Sequence, residues 1–200
     1  AVDMRFEGNS AASGGAIAAS GESDVTLTAT SFVRNVASPG GGGALRVQSS
    51  RVVFASVMCA ENIATAGNGG CADVFADSAL QADSFSSFSN NAAPAGGGGA
   101  VFTLEWTQLR IDPAAIARSA GNRAAYGPLF ASPAAALRVM DARANATTHG
   151  AGQKVTPPVL VGVFDQLGNL VVTDNVTAVS ASPSQALLSA SVAIAQSGIA

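Results

Sequence analysis

The chain has 200 residues, a net charge of −3 and only 12% charged side chains. Its arginines lie scattered and Lys154 is the only lysine, so no basic stripe exists to neutralise phosphates, which excludes nucleic-acid binding. It is 48% apolar but only 6% aromatic, which supplies a thin core lined by small side chains better than a thick globular one.

The opening Ala-Val-Asp-Met-Arg carries no charged leader ahead of an apolar run. No stretch is apolar for long enough to cross a bilayer, so the chain reads as excised, with membrane attachment only through segments outside it. From Phe6 a repeat organises the sequence. Phe6-Glu-Gly-Asn9 is followed by Gly14-Gly15-Ala16-Ile17, Phe32-Val-Arg-Asn35 by Gly42-Gly43-Ala44-Leu45, and Phe88-Ser-Asn-Asn91 by Gly98-Gly99-Ala100-Val101. Between the last two stands a degenerate copy, Cys59-Ala-Glu-Asn62 with Gly69-Gly70-Cys71-Ala72, and a worn one ends in Asn122. The Ala, or the Cys in its place, stands nine positions after Asn35, Asn62 and Asn91, and the copies start at 6, 32, 59, 88 and 119. A period of 26 to 31 residues without helical pattern fits a coil of short strands. Alternating runs such as Val25-Thr-Leu27, Leu45-Arg-Val47 and Val52-Val-Phe54 supply those strands.

At the spacing of hydrogen-bonded strands, five turns make a rod roughly 20 Å long. Phe6, Phe32 and Phe88 then form an inward ladder, as do Ile17, Leu45, Ala72 and Val101. Asn9, Asn35, Asn62, Asn91 and Asn122 fall at one corner, where a side-chain amide can bond the backbone of its own turn and of the next. The glycine pairs supply positive φ and close approach at another corner. Glycine runs 40–43 and 96–99 lack the following Lys-Ser/Thr of a phosphate loop, so nothing is cradled there.

The alternation of F-x-x-N with G-G-A-[ILV] resembles the polymorphic outer membrane protein repeat, over about Phe6 to Trp106. Cys59 for Phe, Cys71 for Ala and Ser119 for Phe depart from it. The resemblance implies a right-handed parallel β-helix of pectin-lyase-like type, displayed at a cell surface and involved in adhesion. Similar repeats occur in long extracellular proteins of green algae, where a segment like Asn122-Arg-Ala-Ala-Tyr126-Gly127 with Ala131-Ser-Pro133 follows the coil.

The whole is therefore expected to be all-β: a coil of about five turns over residues 1–127, a linker or cap over 128–154, and a truncated immunoglobulin-like sandwich over 155–200. In that last part Val159-Leu-Val161-Gly-Val163 alternates, 165–169 signals a turn and Leu170-Val-Val172 answers it.

Several residues invite a chemical reading. A Cys59 to Cys71 disulfide would close a short loop within one turn, yet alternation from Leu45 and Val47 turns Cys71 away from the core, so bonded and free cysteines both stay open. His149 is the only histidine and lies in the linker, so no metal site and no cofactor is expected. Asp73, Asp77 and Asp83 are expected on a solvated surface, since neighbouring turns carry no acid opposite the first two. Phe102 and Trp106 face outward, either as a contact face for a protein or glycan or as a cap over the core. Asn145 and Asn175 head Asn-x-Thr sequons, which suit a secretory route. These features point to a non-catalytic extracellular or cell-surface module; a carbohydrate-binding or carbohydrate-cleaving β-helix and a purely structural fragment are the alternatives.

Overall fold

The computed structural model describes residues 1–105, 108–141, 159–180 and 192–200. Short runs of β-branched and small apolar residues, each ended by a residue that bends the chain, wind into four complete turns of a four-sided coil. The first holds β1 (Arg5–Glu7), β2 (Ser10–Ala11), β3 (Ile17–Ala19) and β4 (Asp24–Thr28). The second holds β5 (Ser31–Val33), β6 (Val36–Ala37), β7 (Leu45–Gln48) and β8 (Arg51–Ala55). The third holds β9 (Met58–Ala60), β10 (Ile63–Ala64), β11 (Ala72–Phe75) and β12 (Ala79–Ala82), and the fourth β13 (Ser87–Ser89), β14 (Ala92–Gly97), β15 (Val101–Thr103) and β16 (Leu109–Ile111). A fifth turn is partial. Helix α1 (Pro113–Ala117) stands before it, and β17 (Arg123–Tyr126) and β18 (Phe130–Ala131) complete two of its sides.

Strands pair only with their equivalents one turn away, always in parallel, giving the sheets β1-β5-β9-β13, β2-β6-β10-β14-β17, β3-β7-β11-β15-β18 and β4-β8-β12-β16. Consecutive strands thus never pair with each other, which defines a parallel β-helix. The register aligns Phe6 with Phe32, Phe32 with Cys59 and Cys59 with Phe88. It also aligns Ile17, Leu45, Ala72, Val101 and Phe130.

The corner before the asparagine column is turned in every copy by a residue in the left-handed region: Gly8, Arg34, Glu61, Asn90 and Gly121. Asp112 caps α1, its carboxylate accepting from the Ala114 N–H at 2.8 Å with Pro113 at the first helical position. Ala115 of this short helix is fully buried.

The coil does not stop at residue 127. Gly127 takes the left-handed corner held by Gly98 one turn earlier, the Gly99 N–H donates to its carbonyl, and pairing continues through Phe130–Ala131. Pro128 stands where the earlier turns have their second glycine.

The chain divides into Ala1–Pro133 and Ala134–Ala200. In the second unit β19 (Ala134–Val139) runs antiparallel to β20 (Val161–Asp165), and β21 (Ala178–Ser180) antiparallel to β22 (Val192–Ile194). Part of the stretch expected as linker is therefore strand. The turn expected at 165–169 forms around Asp165, whose Oδ1 accepts from the Leu167 and Asn169 N–H groups, but Leu170 answers only with a single bridge to Phe164. Among the described residues these are two separate two-stranded sheets; no immunoglobulin-like sandwich is formed by them.

Candidate functional site

The asparagine column is a continuous hydrogen-bond ladder. The backbone N–H and Nδ2 of Asn62 both donate to Oδ1 of Asn91, at 3.0 and 2.9 Å, and Nδ2 also donates to the Phe32 carbonyl at 3.0 Å. In turn the N–H and Nδ2 of Asn35 both donate to Oδ1 of Asn62 at 2.9 Å. The same pattern joins Asn9 to Asn35 and Asn91 to Asn122. Carbonyls at the Phe6, Cys59 and Phe88 positions receive the amides of Asn35, Asn91 and Asn122. Asn35, Asn62 and Asn91 are wholly buried, so the F-x-x-N spacing places a donor pair and an acceptor where the corner backbone needs them. Nothing remains on these side chains for a ligand.

The two glycines of each pair serve different ends. Gly14, Gly42, Gly69 and Gly98 have positive φ. Their successors do not, but a Cβ on Gly15, Gly43, Gly70 or Gly99 would lie 2.1–2.2 Å from the next turn's carbonyl oxygen. These four set how closely the turns approach.

Cys59 and Cys71 are bonded, with Cα atoms 6.2 Å apart, and both are fully buried. The expected outward direction of Cys71 is therefore corrected: it stands at the corner with Ala44 and Ala100, which also belong to the core, and strand alternation does not extend through that corner. On the entropic account the 12-residue separation is worth about 3 kcal/mol. The bond has a packing consequence as well. Cys59 interrupts the phenylalanine column, and Phe54 from a different sheet fills the gap, its ring 6.3 Å from Phe32 and 6.2 Å from Phe88. Phe6 and Phe32 stack directly at 5.0 Å.

On the outer surface one alternative falls and one expectation is overturned. Phe102 is only 5% exposed, which removes the contact face and leaves the covered position, while its companion Trp106 lies outside the described residues. Asp73, expected in solvent, is 8% exposed. The glycine-rich loop of the preceding turn lies against it: a Cβ on Gly41 would come within 2.4 Å of its Oδ2. Asp77 is exposed. Burial pushes the Asp73 carboxyl up to about 6, with the Arg46 guanidinium at 3.9 Å pulling the other way. Arg46 in turn lies 4.2 Å over the Phe75 ring and donates to Ser13 Oγ.

An acid whose native pKa is raised favours folding in its protonated form. Below about pH 4 both states are protonated; between about 4 and 6 only the unfolded state ionises; above 6 the full cost is present. Stability is thus expected to fall, by on the order of 3 kcal/mol from this group, as pH rises from 4 to 7. Denaturant midpoints of wild type and Asp73→Asn across that range check this: the difference between them should shrink toward pH 4, and parallel profiles would refute it.

The outer face of the β4-β8-β12-β16 sheet is concave, and the turn at its edge bears an exposed aromatic. Val53, Gln81 and Arg110 align on β8, β12 and β16 and, with Asp83 and Asp112, line a shallow trough of about 510 Å³. Burial alone would raise the Asp83 carboxyl, but the Ser56 N–H, the Ser86 hydroxyl and N–H and the Phe85 N–H hold it below the ordinary range. It is a fixed negative charge spent on closing its own turn. That turn lifts Phe85 into solvent, 69% exposed, with the Arg118 guanidinium 5.7 Å from the ring centroid and donating to the Ser84 carbonyl. Phe85 carries no repeat signal, and its exposure follows from the Asp83 turn, which only the fold reveals.

A second trough, of about 520 Å³, runs over Val36, Ile63 and Ala92 beside Arg34, Glu61, Asn90 and Arg123. Among the described residues no group of three or more His, Cys, Asp or Glu side chains could hold a metal ion, and no helix is long and apolar enough to cross a membrane.

Four stacked sheets, an internal amide ladder and glycine-set corners make this a repeat-built β-helix protein. The model of the Chlamydia polymorphic membrane protein repeat matches residues 3–20 and 85–104, which are the first and fourth copies. The first and fourth copies thus match the polymorphic membrane protein repeat and are set in a parallel β-helix. No curated protein and no solved structure matches the chain. The repeat type and the coil together fit a surface or structural module.

Proposed function

We propose that the chain is a non-catalytic module of a cell-surface or extracellular protein, a rigid β-helical spacer whose outer face around Phe85 contacts a protein or glycan. The observation that carries this reading is how the polar side chains are used. The asparagines, Asp83 and Asp112, which a catalytic reading would recruit, are committed to the coil's own backbone. A carbohydrate-cleaving site would need a carboxyl able both to exchange a proton and to reach the substrate, whereas Asp83 is held ionised and Asp73, the carboxyl raised by burial, lies under the glycine-rich loop. The buried Cys59–Cys71 bond suits an oxidising exterior. Surface display also accords with the outer-membrane setting of the repeat family.

Beads coated with the full chain and offered to cell surfaces and immobilised glycans test the proposal. Retention is expected, and Phe85→Ala should reduce it at least fivefold with the circular dichroism unchanged. Release of sugar fragments would overturn the non-catalytic assignment. Absence of retention on every surface would leave the spacer role and remove the contact face.

A further inference from the structure

We propose that Asn175 is an N-glycosylation acceptor, so that the second unit carries a glycan while the coil stays bare. The proposal rests on the extracellular reading above. Two sequons occur in the chain, Asn145-Ala-Thr147 and Asn175-Val-Thr177, and Asn145 lies outside the described residues. None of the ladder asparagines heads one. Two positions after them stand Ala11, Ala37, Ala64, Ala93 and Ala124. Ala37, Ala64 and Ala93 are fully buried, so packing of the coil keeps a hydroxyl from that place. The sequons fall only beyond the coil.

The geometry at Asn175 suits attachment. Its side chain is exposed and the neighbouring Val176 is 84% exposed. Oδ1 is engaged, accepting from the Ser197 N–H at 2.8 Å, whereas Nδ2 reaches only the Thr173 carbonyl at 3.5 Å. The nitrogen that would carry sugar is therefore the loosely held atom, and the firmly used oxygen survives the modification as an amide oxygen. Asp174 accepts from the Thr177 hydroxyl at 2.6 Å and from the Val176 and Thr177 N–H groups, which fixes the three sequon residues in one exposed turn. These contacts place the glycan in solvent without disturbing a core.

In the reaction, Nδ2 bonds to C1 of an oligosaccharide linked to lipid pyrophosphate, the co-reactant that an oligosaccharyltransferase supplies. The C1–O bond breaks, its electron pair leaves with the lipid pyrophosphate, and the nitrogen loses one proton. No oxidant or reductant is needed.

Expressing the full chain behind a cleavable signal peptide in eukaryotic cells tests this. Secreted and retained pools are both taken, since sugar is added on entry to the pathway. Amidase release of glycans converts a carrying Asn to Asp, and peptide mapping then reads residue 175. Asn175 is expected as Asp, with the gel mobility shift reduced by one step in Asn175→Gln and in Thr177→Ala but retained in Thr177→Ser. Thiol labelling of the same material reads the disulfide. An unmodified Asn175 in chains whose Cys59 and Cys71 are bonded overturns this proposal and leaves the extracellular reading standing; free thiols at both cysteines overturn that reading instead.

Discussion

Asn62→Ala is expected to remove about 4 kcal/mol of stability, because a buried donor or acceptor left unpaired costs roughly 1–3 kcal/mol and several are stranded at once. The Phe32 carbonyl loses its donor, Asn91 Oδ1 loses one of two, and the N–H and Nδ2 of Asn35 lose their acceptor. Asn9→Ala, at an exposed position, removes the amide that bonds Asn35 Oδ1 but leaves the Asn9 N–H bond in place, and should cost under about 1 kcal/mol. Urea unfolding of the two variants measures the contrast. Equal losses would mean that the ladder is not what holds the corner.

Gly70→Ala should be at least as damaging for a different reason. Its Cβ would sit 2.2 Å from the Gly99 carbonyl oxygen and 2.5 Å from the Ala92 nitrogen, both backbone atoms that no rotamer change can move. The turns must separate locally, breaking the pairing of β10 with β14 and of β11 with β15, and a loss above about 4 kcal/mol or failure to fold is expected. Gly8→Ala is the matched control. It has positive φ but nothing within 4 Å of a Cβ, so only the left-handed strain of about 1 kcal/mol is lost. Thermal melts of both check this, and similar melting temperatures would show that conformation, not contact, governs the glycine column.

Much of the coil is readable from spacing. The nine-residue interval between Asn and Ala and the repeated Phe report the period, the inward columns and the corner role of the amides, because stacking makes each turn repeat the previous one's geometry. Other features carry no such signal. Alternation tells which side of a strand a residue faces, but not whether a loop from the neighbouring turn roofs the outward side, and so it misplaces Asp73. Corner residues do not alternate at all, which hides the inward direction of Cys71. The exchange of bulk between Cys59 and Phe54 links two sheets at different positions in the repeat, beyond the reach of any periodic pattern. Serines form a quieter counterpart of the asparagine ladder, with Ser50 Oγ accepting from the Ser23 N–H and Ser78 Oγ from the Ser50 N–H. In so serine-rich a chain their column does not stand out. The fifth turn reads as ending at 127 because Ser119 replaces the phenylalanine that opens a copy and the composition shifts after Pro128.

That proline gives the stack a direction. In the glycine column each turn offers its N–H forward: Gly43 to the Gly69 carbonyl, Gly70 to Gly98, Gly99 to Gly127. Pro128 occupies the next place and has no N–H to offer. A further turn laid on this side would find a carbonyl there with no donor, and a ring in place of the hydrogen that draws turns together. A turn past the fifth would therefore lack one hydrogen bond of this column, close to where the coil gives way to the second unit after Pro133.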